Sequence, residues 1–75
     1  MKNKETLQQA LAARKEEIFG YQINIDNYRL AIPFAEADPE LKEFSYQLKS
    51  LLASEILEQK KAAIILKVLQ IQLGE

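Results

Sequence analysis

From Leu7 to Ile32 the chain places residues at alternating intervals of four and three: Leu7, Leu11, Arg14, Ile18, Tyr21, Ile25, Tyr28 and Ile32. All but Arg14 are apolar or aromatic. Wound as an α-helix, such a spacing draws one continuous seam along the cylinder, which needs a second helix to cover it. The same stretch also contains a rival pattern. Tyr21 to Ile25 and Tyr28 to Ile32 alternate with period two, and Asp26-Asn27 between them could turn a β-hairpin. The helix accounts for more: Asp-Asn lacks the glycine that such turns favour, and the seam passes straight through it. Gly20 then sits in mid-helix, at a cost of about 1 kcal/mol relative to alanine.

The break comes at Ile32-Pro33-Phe34-Ala35-Glu36-Ala37-Asp38-Pro39. Proline pushes its predecessor out of the α region, so the first helix is expected over about 4–31, with a loop at 32–38. Asp38 can cap free first-turn N–H groups, and Pro39 at the first helical position forfeits no bond. Glu40 and Glu43 favour the positive end of the helix that follows, expected over about 39–73 with Gly74 as its C-cap. The tail from Leu69 to Leu73 also alternates like a strand, and is the least helical part of this pattern.

The second helix repeats the spacing with Leu41, Phe44, Leu48 and Leu51, then Glu55 and Glu58, then Ala62, Ile65 and Leu69. If it folds back antiparallel through a 32–38 loop, Arg14 falls near Glu58 and Glu55. The expectation is a polar layer of Arg14, Glu55 and Glu58 that fixes the register. Leu52, Ile56, Leu57, Ile64, Leu66, Val68, Ile71 and Leu73 spread apolar surface around most of this helix, which marks a helix buried on several sides. One partner helix cannot cover it, nor can it cover the second face of the first helix, Phe19, Ile23 and Leu30. The fold class expected is therefore all-α: a two-helix antiparallel hairpin assembling into a dimeric four-helix bundle. The self-association surface expected is Phe19, Ile23, Leu30, Ile64, Leu66, Val68 and Ile71.

Composition removes most chemistry. The 75 residues form one domain at most, with 48% hydrophobic and 28% charged residues and a net charge of −1. There is no cysteine and no histidine, so thiolate zinc sites, disulfides and His-based triads are excluded, and two glycines leave no phosphate cradle. Glu55 and Glu58 could suggest a carboxylate metal site, but bundle-core di-metal sites add histidine. No enzyme, cofactor or metal is expected. The longest apolar run, Ala62 to Leu66, is far too short to span a membrane, and the N-terminus lacks the apolar core of a secretory signal. The expected location is cytoplasmic.

The cations interleave with acids, as on a solvated helix surface, and Lys60 and Lys61 with Lys49 and Lys67 form the one candidate basic patch. Phe34, between two turn signals, is the residue least explained by a core. Phe34, Lys60 and Lys61 are the expected partner contacts. The architecture resembles small hairpins that dimerise into four-helix bundles, plasmid-type RNA-binding regulators among them, a likeness of shape that transfers no function. The function expected is that of a non-enzymatic accessory or regulatory factor, of the kind phages and mobile elements carry. It would self-associate and bind a macromolecule, a protein first. The alternative is a nucleic-acid-binding regulator whose cations converge in the dimer.

Overall fold

The computed structural model describes residues 2–74, and they form two long helices lying antiparallel. Helix α1 spans Lys2–Glu36, a 3-10 turn spans Pro39–Leu41, and helix α2 spans Lys42–Leu73. No strand occurs among the described residues, so residues 21–32 and 69–73 are helical despite their alternation.

Pro33 does not end α1, contrary to the boundary expected at Ile32. The helix runs one more turn, to Glu36, and Ala37 still donates its N–H to the Pro33 carbonyl at 3.1 Å. That turn carries Ala35 into the seam, where it is buried, and brings Glu36 to Lys49 at 2.8 Å. These contacts outweigh proline's local preference. The connection shrinks to Ala37 and Asp38. Asp38 is extended, its carboxylate accepts from the Glu40 N–H at 3.0 Å, and Pro39 follows at the first position of the 3-10 turn. At the far end Gly74 adopts φ 77°, and its N–H reaches back to the Ile71 carbonyl at 3.1 Å, the αL cap expected of it.

Burial defines the seam. On α1 it follows Leu7, Leu11, Arg14, Ile18, Tyr21, Ile25, Tyr28, Ile32 and Ala35, as the heptad requires. On α2 it follows Ser45, Leu48, Leu52, Glu55, Gln59, Ala62, Leu66, Leu69 and Leu73. This line keeps Leu48, Glu55, Ala62 and Leu69 of the one expected, while Leu41, Phe44, Leu51, Glu58 and Ile65 fall to one side of it. Small Ala35 and Ser45 let the helices converge next to the turn. The Ser45 hydroxyl donates to the Lys42 carbonyl at 2.7 Å, so nothing polar is stranded there.

The hairpin is a thin rod. Its principal extents are 59 × 15 × 14 Å and its radius of gyration is 17.0 Å, against roughly 11 Å for a globular chain of this length. It exposes 5790 Å², whereas a compact monomer of 8.6 kDa exposes roughly 4,700 Å². Among the described residues, Ile25 is the one large side chain wholly withdrawn from water.

Candidate functional site

The seam divides the hairpin into two long flanks, and cross-helix contacts identify each. One flank carries Glu36–Lys49 and a pair of amides: Gln59 Nε2 donates to Gln22 Oε1 at 2.9 Å and to the Ile18 carbonyl at 3.4 Å. The other carries Asn24, whose Nδ2 donates to Glu55 Oε1 at 2.7 Å. The two flanks differ in chemistry.

On the Asn24 flank a polar cluster occupies the middle of the rod. Arg14 pairs with Glu17 at 3.2 Å, within α1, and Lys61 pairs with Glu58 at 3.1 Å, within α2. The Arg14–Glu55–Glu58 layer is therefore not formed within the chain. The turn lies later than Pro33 indicates, which moves every facing pair along. Asn24 faces Glu55, so ten residues back from Asn24 Arg14 lies level with Ile65, beyond both glutamates. Tyr21 takes the place foreseen for Arg14. Its hydroxyl is pushed above the ordinary tyrosine range, first by withdrawal from water and then by the carboxylates of Glu17, Glu58 and Glu55.

Either side of that cluster the Asn24 flank combines apolar side chains with the small or uncharged polar Thr6, Asn27, Gln47, Ser54 and Gln72. Helical register places Ala10, Ala13, Gly20 and Ala31 on its α1 edge, and Phe44, Leu51, Ile65 and Val68 on its α2 edge, the last four all exposed. Phe34 stands at its turn end, 80% exposed and on the last turn of α1, not in a loop. A Cβ built on Gly20 would meet nothing within 4 Å, so the hairpin itself does not require glycine there.

The Gln22 flank gathers charge. Lys15, Arg29, Lys42, Lys60 and Lys67 fall on it by register, and none makes an ion pair among the described residues. Along the sequence these cations alternate with acids, which hid their common side; only the α2 seam reveals it. Lys49 also lies here, 5.8 Å from the centre of the Tyr46 ring, and its ammonium holds its proton more tightly than usual because it donates to Glu36. A cleft of about 270 Å³ at the turn is lined by Glu36, Asp38, Pro39, Lys42, Ser45, Tyr46 and Lys49.

The expected self-association residues do not form one surface. Phe19, Ile23 and Leu30 are exposed on the side of α1 opposite the seam, Ile64 and Ile71 are exposed on the outer side of α2, and Val68 is exposed on the Asn24 flank. Leu66 lies in the seam itself, half-buried against α1. Of the expected partner contacts, Phe34 and Lys60 are exposed and unpaired, and Lys61 is engaged by Glu58. Sequence reasoning missed Asn24, Gln22 and Gln59, because polar residues carry no signal in an apolar periodicity.

Among the described residues no group of three or more ligating side chains could hold a metal ion, and no helix is long and apolar enough to cross a membrane. No family model matches the chain, and neither a curated protein nor a solved structure matches it.

Proposed function

We propose that this chain is a non-enzymatic interaction protein: a helical hairpin that pairs with a second copy as a four-helix bundle and, in that form, serves as an accessory or regulatory factor for a protein partner in the cytoplasm. One observation carries the proposal. The hairpin exposes about 1,100 Å² more than a compact chain of its mass, and much of this surface is large apolar side chains. A standard interface removes roughly 800 Å² from each partner, so one further copy would absorb the excess. At roughly 1.5–3 kcal/mol per buried large apolar side chain, six such residues left in water forgo about 10 kcal/mol, comparable to a small domain's whole stability.

Sedimentation equilibrium tests it. A dimer is expected at micromolar concentration, with a Tm that rises as protein is added, because association and folding are one equilibrium. A monomer whose Tm does not move with concentration would refute the proposal.

The unpaired cations of the Gln22 flank favour one alternative, a regulator that binds nucleic acid. Binding of that kind would weaken steeply with added salt. Binding to duplex or single strand that is absent, or indifferent to salt, removes this alternative.

A further inference from the structure

Resting on the proposal of a dimer, we infer that the second copy seats on the Asn24 flank, with the two-fold axis running along the rod so that α1 of each copy faces α2 of the other.

Charge selects the flank. Two copies meeting through their Gln22 flanks would bring together Lys15, Arg29, Lys42, Lys60 and Lys67 of both, cations that have no partner within the hairpin. The Asn24 flank carries both signs in balance, the Arg14–Glu17 pair on α1 and the Glu58–Lys61 pair on α2. Glu17 and Lys61 lie at nearly the same height along the rod. A two-fold along the rod sets each against the other copy's opposite charge. The outline of this face, 59 by 15 Å, covers about 900 Å², the size a stable interface takes from each partner.

Side-chain size selects the axis. Heights follow from the facing pair Asn24–Glu55. They place Ala13 level with Ile65 and Val68, and Ala31 nearly level with Leu51. The α1 edge is thus small where the α2 edge is large. With the axis along the rod, Leu51, Ile65 and Val68 of α2 each meet an alanine of the other copy's α1, and Phe44 meets Phe34 at the turn end. An axis across the rod would instead pair α1 with α1 and α2 with α2, leaving a gap on one side and crowding on the other. Gly20 fits the first arrangement. Nothing in the hairpin fills the space a Cβ would take, and a helix crossing there can approach closely.

The chain has no cysteine, so single-cysteine variants report contacts directly. Ala13→Cys and Val68→Cys, purified separately, are mixed, unfolded and refolded together, and oxidised. A disulfide-linked pair between the two variants is expected, with little linkage in either variant alone. Efficient linkage of Ala13→Cys to itself would overturn the axis. Absence of any linkage in a sample that sediments as a dimer would overturn the face while leaving the dimer intact. A monomer in sedimentation would remove both. Gly20→Leu supplies an independent measurement. In an isolated hairpin its Cβ enters open space and leucine favours helix, whereas on this interface it should raise the dimer dissociation constant at least tenfold. An unchanged constant would count against the close approach.

Discussion

Asn24 and Arg14 look alike in the sequence, each a polar residue in or beside an apolar seam, yet they do different things. Asn24 ties the two helices together through Glu55, while Arg14 reaches only Glu17 on its own helix. Asn24→Ala should therefore lower stability by about 0.5–1.5 kcal/mol in urea denaturation, as the loss of one cross-helix hydrogen bond does. Arg14→Ala should cost about 0.5 kcal/mol or less, the worth of an exposed pair within a helix, and a loss of several kcal/mol would show a buried role that the geometry denies. Tyr21 and Lys49 contribute a pH response at the alkaline end. Both hold their protons more tightly when folded than at their ordinary values of 10.0 and 10.5. The folded state thus binds more protons, so their contribution is complete below about pH 10 and is lost as pH rises through the raised folded values. Thermal melts from about pH 8 to about pH 11 should show Tm falling at the alkaline end, and Tyr21→Phe should make that fall shallower.

The two helices differ in how openly their sequences state their packing. In α1 the seam could be read residue by residue, because its other faces are mostly polar and only one 3–4 line of apolar residues runs end to end. In α2 apolar residues ring the cylinder, so hydrophobic period alone fits several lines. The true seam includes Ser45 and Gln59, which an apolar search passes over, and excludes Phe44, Leu51 and Ile65, which it prefers. Leu66, expected on the self-association surface, lies in the seam for the same reason. The α1 boundary failed at Pro33, where a local steric rule lost to tertiary contacts made by Ala35 and Glu36. That conflict can be relieved. Pro33→Ala restores an N–H in position to bond the Arg29 carbonyl and removes the clash with that turn, so it should raise stability by roughly 1–3 kcal/mol by denaturant melting. A loss of stability would mean that the proline shapes the turn itself.

At the scale of the whole rod, the all-helical hairpin was legible from one seam and one break, but the division into a cationic flank and a charge-balanced one was not. A flank exists only once both seams are known, and the second was hidden. The rod's geometry has one more effect, on the order in which it comes apart. Glu36 and Lys49 meet across a short stretch of chain, whereas Gln59 and Ile18 meet across 41 positions. Each step away from the turn closes a longer loop, so pairing the open end costs the most chain entropy. The helices should part there first, unzipping toward the Asp38 corner. Amide exchange in deuterated water should display this as a gradient, with protection in both helices rising from the open end toward the middle and the turn. A second copy on the Asn24 flank, with its two-fold along the rod, sets its own open end at the same height, so the gradient persists in the dimer; uniform protection along both helices would overturn this order of unzipping.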